Sequence, residues 1–352
     1  MKVIMNISGM LSWIRQSVLS AHRSFLQLSV IHYQLFIVSL AALYGCQKDL
    51  VYPEPEPPTS PLMVLFDWSD APGAQPDEMS LMVFAGTSQP VRFQFAGREG
   101  GGITLPGGEF SLIGYNSTEL AVRGLTWGEF EIYSQETTLN SVSRMFATTR
   151  DVPKTKGTEE QQVVYEPDSL WTSATDGVVL SEQTYGQTVT MPMEVATTDY
   201  VFTITNVENL KYATEIAGTL SGMSSGWFPA LGMPSADEAI IPFSFTRTAD
   251  GSATITGRVR TFGHCPGRGA DNHNDHMLVL YAEMLDGSKY YYTFDVTASM
   301  HDPEHLTEGG TGDTDKPIVI DEGLPLPKPL LNGSGFQPDV TTWMEVSIPI
   351  DL

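Results

Sequence analysis

The segment MLVLYAEMLDGSKYYYTFDV, residues 277–296, decides the fold class. Two apolar stretches flank Asp286-Gly287, and an Asp-Gly pair in this setting is a strong sequence signal for a tight β-hairpin turn. After the turn, large apolar residues occupy every second position: Tyr290, Tyr292, Phe294 and Val296. Because successive side chains of a strand point to opposite faces, this spacing places them on one face of an extended chain. The segment therefore predicts a β-hairpin.

The same period of two recurs along the chain from Pro61 onward. A second Asp-Gly pair, Asp250-Gly251, separates two apolar stretches and predicts another hairpin. Further strands are predicted at 64–68, 79–85, 91–95, 189–195 and 344–350, and residues 103–113 predict the end of one strand, a tight turn at Pro106-Gly107-Gly108 and the start of another strand. We expect Gly100-Gly101-Gly102 to close the strand at 91–95, and the apolar spacing within 206–218 allows a short helix. Pro349 donates no hydrogen bond, so the last strand should lie at a sheet edge or end at this residue. The pattern is typical of an all-β sandwich.

The first 45 residues have the pattern of a lipoprotein signal peptide. They contain three basic residues, no acidic residue and an apolar run from Leu35 to Leu43, too short to span a bilayer. The run ends at Cys46, in a segment that resembles a lipobox although Tyr44 departs from the smaller residue usual there. The alternative is a buried helix at the start of a cytosolic protein. Residues 46–60 are rich in proline and predict a stiff tether, which favours lipid attachment at Cys46.

Composition limits the class of function. Residues 1–45 hold three of the 19 Lys and Arg and no acidic residue, so the remaining 307 residues carry 16 Lys and Arg against 42 Asp and Glu, a net charge of −26. Such a chain offers no basic patch for nucleic acid. Its length predicts two domains. The strand pattern places their boundary near residue 185, so that the domains span 61–185 and 186–352. If Cys46 is acylated, Cys265 has no disulfide partner within the chain.

One loop combines residue types that bind metals. His264, Cys265, His273 and His276 lie there together with Asp271 and Asp275. Zinc takes Cys and His in tetrahedral sets, but the spacing matches no established zinc module. A polar loop between two strands also collects such residues, and this interpretation is preferred. We therefore expect no metal site, no other cofactor and no catalytic role for Cys265, since only the adjacent His264 could serve as its base.

Acidic and aromatic residues supply the remaining candidates. The acidic stretch 301–328 predicts a solvated loop, with a calcium site or a glycosidase pair of carboxylates as alternatives. Several aromatic residues lie partly in irregular segments: Trp127, Trp171, Trp227, Phe228 and Trp343. Exposed aromatic rings could stack on sugars, whereas in a β-sandwich they more often fill the core.

Short motifs in a fixed order give the chain a family resemblance. They are Cys46-Gln47-Lys48-Asp49-Leu50, Asp67-Trp68-Ser69, Pro76-Asp77-Glu78-Met79, Leu105-Pro106-Gly107-Gly108-Glu109-Phe110 with Tyr115-Asn116, Leu220-Ser221-Gly222-Met223, Asp286-Gly287-Ser288 with Tyr292-Thr293-Phe294-Asp295-Val296-Thr297, and Gly335-Phe336-Gln337-Pro338-Asp339-Val340. With these motifs the chain resembles the fimbrillin-like lipoproteins of Bacteroidales, in a subgroup of unknown function. The resemblance covers nearly all of the chain after Cys46.

The resemblance implies two transthyretin-like, Greek-key type β-sandwich domains in tandem and export to the outer membrane. It also implies pili whose subunits join when one donates a β-strand to the open groove of the next. In polymerising fimbrillins an arginine-specific protease removes the first strand and so opens that groove. Here no Arg lies between Cys46 and Arg92, and Arg92 falls inside a predicted strand. An anchor or accessory subunit that keeps its lipid and first strand is therefore the better interpretation.

The sequence thus predicts a non-catalytic, lipid-anchored outer-membrane protein with a fimbria-associated or adhesive role. We expect it to face the cell surface, with the periplasmic face as the alternative, since Gln47-Lys48-Asp49 is not an acidic run. Its expected partners are membrane lipid through Cys46, fimbrial subunits by strand addition, and a host or glycan ligand, but no nucleic acid. The alternative is a surface glycan-binding lipoprotein of a polysaccharide uptake system. An exposed, coplanar pair of tryptophans would favour that alternative, whereas a long alternating terminal strand at a domain edge would favour the fimbrial role.

Overall fold

The computed structural model describes residues 59–86, 88–116, 120–148, 152–181, 186–248, 251–266, 275–302, 316–321, 323–329 and 342–346, together with Gln34. The described residues consist largely of β-strands and their connections, and the all-β prediction is confirmed. Apart from Gln34, the predicted signal peptide lies outside them, as do Cys46, His273 and most of the tether.

The strands of the first part of the chain are β1 (Thr59–Asp67), β2 (Glu78–Phe84), β3 (Val91–Ala96), β4 (Gly100–Pro106), β5 (Gly108–Asn116), β6 (Ala121–Arg123), β7 (Glu131–Tyr133), β8 (Gln162–Val163), β9 (Trp171–Leu180), β10 (Gln187–Pro192) and β11 (Glu194–Val195). Short 3₁₀ turns cover Trp127–Glu129, Leu139–Ser141 and Arg144–Thr148. The strand predicted at 189–195 is divided between β10 and β11, with Met193 between them.

The strands of the second part are β12 (Thr198–Ile204), β13 (Val207–Glu208), β14 (Ala213–Ser224), β15 (Gly226–Phe228), β16 (Met233–Pro234), β17 (Glu238–Arg247), β18 (Ile255–Thr261), β19 (Met277–Met284), β20 (Lys289–Asp295), β21 (Ile318–Ile320), β22 (Leu324–Pro325) and β23 (Trp343–Glu345). A 3₁₀ turn covers Leu210–Tyr212, and one short helix, α1 (Thr297–Met300), follows β20.

The first part folds as a β-sandwich. One sheet has the order β10-β1-β4 and the other the order β11-β9-β5-β2-β3. Buried residues from both sheets form a single hydrophobic cluster, to which Val64 of β1, Leu81 of β2 and Leu112 of β5 belong. The two sheets therefore cover the two sides of one core, as alternating inward residues require.

The second part is built on a larger sheet in the order β21-β12-β18-β17-β14-β19-β20-β23. Phe202 of β12 and Phe294 of β20 belong to the same hydrophobic cluster, although several strands separate them in this order. The sheet therefore curls around its own core.

Both predicted hairpins are confirmed. β19 and β20 pair antiparallel on either side of Asp286-Gly287, and Gly287 has a φ of +79°, a conformation that glycine adopts without steric cost. β17 and β18 also pair antiparallel, with Arg247 opposite Ile255, while Asp250 of their connection lies outside the described residues.

The short helix allowed within 206–218 is present only as a single 3₁₀ turn, Leu210–Tyr212. This segment contains β13, a 3₁₀ turn and the start of β14, and β14 lies between β17 and β19. β14 is covered on both faces, since Ile216 and Leu220 belong to one hydrophobic cluster and Ala217, which points to the opposite face, belongs to another. Its buried residues therefore need not alternate, and β14 is buried from Ile216 to Ser224. β14 also needs a glycine at position 218, because a Cβ there would lie only 2.7 Å from the Phe245 ring.

The chain passes from the sandwich to the larger sheet between Val195, the end of β11, and Thr198, the start of β12. The sequence pattern places the domain boundary earlier, near residue 185. β10 follows that boundary in the chain, yet it pairs with β1. Contacts also join the two parts, since β7 pairs with β15 and β8 pairs with β17. Residues from Pro58 to Leu352 form one compact unit by their contacts.

Candidate functional site

The first strand has the regular alternation expected of a strand with one face in the core. Leu62, Val64 and Phe66 are 1, 0 and 4% exposed, whereas Met63 and Leu65 are 43 and 41% exposed. The sequence pattern predicts this arrangement, and the strand begins at Thr59, slightly before the expected start.

β1 is paired on both sides. Its parallel neighbour is β10, with Val64 opposite Val189, and its antiparallel neighbour is β4, with Val64 opposite Gly101. Without β1, the edges of β4 and β10 and the core between them would be open. We call this space, bounded by β4 and β10 and filled by the inward face of β1, the β1 groove.

The base of the β1 groove is shaped for the Phe66 side chain. A Cβ on Gly114 would lie 2.6 Å from the Phe66 ring, and a Cβ on Gly100 would lie 2.3 Å from the carbonyl oxygen of Val64. Phe95 meets the Phe66 ring edge-on, with the centroids 5.9 Å apart. The prediction that Gly100-Gly101-Gly102 closes the strand at 91–95 is wrong, because these glycines form the start of β4, where Gly100 leaves room for the close approach of β1.

Contacts at the end of β1 hold the chain as it leaves the groove. The Trp68 indole N–H donates to the backbone carbonyl of Arg98 over 2.8 Å, and the Trp171 ring packs edge-on against Trp68. The backbone N–H of Met193 donates to the carbonyl of Asp67 over 2.8 Å.

The chemistry of the β1 groove is that of strand addition. Main-chain donors and acceptors of β4 and β10 bind an extended segment, and the core beneath takes apolar side chains at alternate positions.

Arg92, the first Arg after Cys46, lies in β3 and donates from Nη2 to Ser80 Oγ over 2.7 Å. The prediction that Arg92 belongs to a strand is confirmed.

The predicted metal candidates are only partly brought together. His264 and His276 lie side by side, and the third ring of their group belongs to His301, which the sequence reasoning missed. The Cys265 thiol is not one of the three groups gathered there; it donates to the carbonyl of Pro266 over 3.9 Å. The β19–β20 hairpin was the available signal for His301, since it returns Asp295 to a position opposite Met277, next to His276.

The predicted aromatic candidates do not form a platform among the described residues. Trp127, Trp171, Trp227 and Phe228 are partly buried, and the Trp227 indole donates to Thr172. Trp343 is buried in β23, where its ring meets the edge of Tyr281. β23 lies at the end of the larger sheet and pairs with β20, as predicted for a last strand at a sheet edge. Residues 347–350 and half of the acidic stretch at 301–328 lie outside the described residues. The described half contains β21 and β22, so the prediction of a solvated loop is wrong for these two segments.

A polar cleft of about 530 Å³ lies where the two parts of the chain meet, with Arg123, Tyr133 and Asp237 among its lining residues. The Arg123 guanidinium lies over the Tyr133 ring and donates to the carboxylates of Glu131 and Asp237 over 2.6 and 2.8 Å. The hydrogen bond to Glu131 raises the pKa of Arg123, and Glu131 is itself almost fully buried. This arrangement ties β6 and β7 to the start of β17.

Comparisons with known proteins place the chain within a family. A family model described as a domain of unknown function, DUF5119, matches residues 45–244. A comparison with curated protein sequences gives no match.

Solved structures show a similar fold. A candidate adhesin from Bacteroides ovatus ATCC 8483 is 19% identical, and the match covers 83% of this chain and 94% of that chain with a TM-score of 0.55. A candidate polysaccharide-binding protein (DUF1812) from Bacteroides thetaiotaomicron VPI-5482 is 12% identical, covering 75% and 89% with a TM-score of 0.45. The fimbrial anchor protein Mfa2 from Porphyromonas gingivalis is 11% identical, covering 75% and 89% with a TM-score of 0.40.

The family match and the shared fold confirm the resemblance that the sequence motifs predict. Within the described part of the chain, no helix combines the length and the apolar character needed to cross a membrane.

Proposed function

The chain belongs to the DUF5119 family, and from that premise we propose that it is a non-catalytic, fimbria-associated protein of the cell envelope, acting as an anchor, accessory or adhesion component. The observation that carries the proposal is the β1 groove with β1 in place: Leu62, Val64 and Phe66 are buried, and both edges of the strand are paired. The fold shared with a candidate adhesin from Bacteroides ovatus supports it.

The retained strand decides between two fimbrial roles. A polymerising subunit must expose a groove that accepts the strand of a neighbour. In this protein the β1 groove is filled by its own chain, and no Arg lies between Cys46 and Arg92 at which an arginine-specific protease could release β1. The protein therefore fits an end or side position in a fimbria, where it contacts other subunits without accepting a strand in the β1 groove.

The proposal includes a lipid anchor. Residues 1–45 act as a lipoprotein signal peptide, Cys46 carries the lipid, and the proline-rich segment up to β1 holds the folded part away from the membrane. A single acyl chain gives only weak membrane binding, so stable anchoring needs the several chains that a lipoprotein cysteine carries. The protein would then lie on the outer membrane and face the cell surface.

The proposal also includes two transthyretin-like domains in tandem. The sandwich of β1–β5 and β9–β11 is the first domain, and the larger sheet from β12 to β23 is the second. The change of sheet between Val195 and Thr198 supports a boundary there, somewhat later than the boundary near 185 that the sequence suggests.

The proposal is tested in the native organism with Cys46→Ser beside the unchanged protein. Cells grown with an alkyne analogue of palmitate should label the unchanged protein and leave the variant unlabelled, and the variant should be lost from the outer membrane. Fimbriae on cells with the unchanged protein should resist shearing better than fimbriae on cells with the variant, if the protein is an anchor. If it is an accessory subunit, purified fimbriae should contain it in substoichiometric amounts.

Two results would overturn the proposal. A Cys46→Ser variant that keeps its label and its membrane location would remove the anchor. The absence of the unchanged protein from purified fimbriae, together with unaltered fimbriae and unaltered adhesion after deletion of its gene, would remove the fimbrial role.

A further inference from the structure

Three histidine rings from separate segments meet at one end of the larger sheet. His264 follows β18, His276 precedes β19, and His301 caps the end of α1. The centroids of the rings lie 4.5 Å apart for His264 and His276, 4.6 Å for His264 and His301, and 5.0 Å for His276 and His301. His276 is fully buried, and the other two are partly buried.

Backbone carbonyls orient two of the rings. The Nδ1 atom of His276 lies 3.2 Å from the carbonyl oxygen of Ser221, and the Nδ1 atom of His301 lies 2.9 Å from that of Thr297. A carbonyl oxygen can only accept, so Nδ1 carries the proton in each neutral ring. The lone pair of each ring therefore lies on Nε2. Metal-binding histidines in proteins are commonly oriented by this kind of hydrogen bond.

Tyr200 orients the third ring. Its hydroxyl oxygen lies 2.6 Å from Nε2 of His264, and the two rings stack. When Nε2–H of His264 donates to this oxygen, the lone pair of His264 lies on Nδ1, and each of the three rings can then offer one nitrogen.

The surrounding backbone is shaped for the close approach of His276. Gly222 has a φ of +74°, and a Cβ there would lie 2.8 Å from Nδ1 of His276 and 2.5 Å from the carbonyl oxygen of Asp275. Only glycine combines this backbone conformation with that space. The backbone N–H of Cys265 also donates to the carbonyl of Gly222 over 3.1 Å, which holds the segment of His264 against the same strand.

The separations suit a small metal ion. One nitrogen from each ring lies within 4.8 Å of the others. Zinc binds histidine nitrogen at about 2.0–2.1 Å in a tetrahedral arrangement, which puts its ligand atoms about 3.4 Å apart. Side-chain rotations that move each nitrogen by roughly 1 Å would therefore close the set around an ion.

We propose that His264, His276 and His301 form a binding site for a divalent zinc-like metal ion, with water as the fourth ligand. Imidazole nitrogen favours zinc, copper and nickel over magnesium and calcium, which take oxygen ligands. The ion joins the chain after β18, the start of β19 and the end of α1. It thereby stabilises this end of the larger sheet, a role separate from the β1 groove and from the proposed fimbrial function.

The test uses the purified chain without a polyhistidine tag, freed of metal by a chelator and dialysed. Titration calorimetry with ZnCl₂ alone should give one ion per chain. At a hundredfold excess of Zn²⁺ over its dissociation constant, the melting temperature should rise by about 4 °C, and Mg²⁺ should have no such effect. His264→Ala and His301→Ala should each weaken Zn²⁺ binding at least tenfold.

The matched control is Cys265→Ser. It alters a possible ligand next to His264 that is not part of the three-histidine group, so Zn²⁺ binding should stay within twofold of the unchanged protein. His264 and His301 are the preferred positions because they are only partly buried. Thermal melting of each metal-free variant shows whether that variant folds. If one of them does not fold, the Zn²⁺ affinity of the other decides the test.

Three results would overturn the proposal. The first is no Zn²⁺ binding by the folded, unchanged protein. The second is binding that survives both histidine substitutions in folded variants, since the ion then lies elsewhere. The third is loss of binding in Cys265→Ser, which would make the thiol a ligand and remove the assignment to three histidines.

Discussion

Replacing Phe66 by alanine should destabilise the protein strongly, because this side chain fills the base of the β1 groove. Phe66 is 4% exposed and packs over Gly114 and edge-on against Phe95. Burial of its ring contributes about 2–3 kcal/mol, and the cavity left by alanine adds about 1–2 kcal/mol. We therefore expect Phe66→Ala to lower the free energy of unfolding by about 3–5 kcal/mol.

The matched control is Leu65→Ala, one position earlier in the same strand. Leu65 is 41% exposed, so its removal should change the free energy of unfolding by no more than about 0.5 kcal/mol. Urea unfolding followed by tryptophan fluorescence measures both variants, and an unchanged slope shows that the shift in midpoint reflects stability. Equal losses in the two variants, or a larger loss for Leu65→Ala, would refute the register of β1.

Three further changes probe other contacts. Gly114→Ala should cost about 1–3 kcal/mol of unfolding free energy, because its Cβ would lie 2.6 Å from the Phe66 ring. Arg123→Ala should cost about 1.5–3 kcal/mol, because it removes the charged donor 2.6 Å from the buried Glu131 carboxylate. Partial desolvation of the Glu166 carboxyl raises its pKa although the residue as a whole is exposed, so its native-state proton favours the folded protein slightly at low pH, and this contribution is lost as the pH rises above about 4.5. Glu166→Gln should therefore be more stable than the unchanged protein at pH 7 but not at pH 4, as measured by urea unfolding at both values.

Each of these changes has its own check. Gly73→Ala introduces a Cβ with no atom within 4 Å, so it should leave the free energy of unfolding nearly unchanged, and a loss as large as that of Gly114→Ala would contradict the steric argument. In a Glu131→Gln background, Arg123→Ala should cost less than about 1 kcal/mol, since no buried charge is left behind. A stability difference for Glu166→Gln that is constant with pH would show that Glu166 does not titrate as argued.

The sequence predicts those parts of the fold that depend on local pattern. The alternation of β1 and the hairpin at Asp286-Gly287 follow from side-chain period and turn chemistry alone, and both are confirmed. The short helix allowed within 206–218 is reduced to one 3₁₀ turn, because β14 is buried on both faces by neighbours far away in sequence.

Some glycines are required by residues next to them in the sequence, and others by residues that are distant in the sequence. Gly287 serves a turn that the sequence reveals, whereas Gly100 and Gly222 leave room for β1 and for His276. Sequence spacing alone cannot distinguish these roles. The histidine group was missed for a related reason: His264 and His276 flank one loop, but His301 joins them only because the β19–β20 hairpin brings the chain back.

The central claim is that the mature protein keeps both its lipid at Cys46 and its first strand. Intact mass measurement and N-terminal peptide mapping of the protein from native outer membranes test it most directly. The account predicts an acylated N-terminus at Cys46 and recovery of a peptide that spans Thr59 to Asp67. An unacylated N-terminus beyond Asp67 would contradict it, because the β1 groove would then be open to the strand of another subunit.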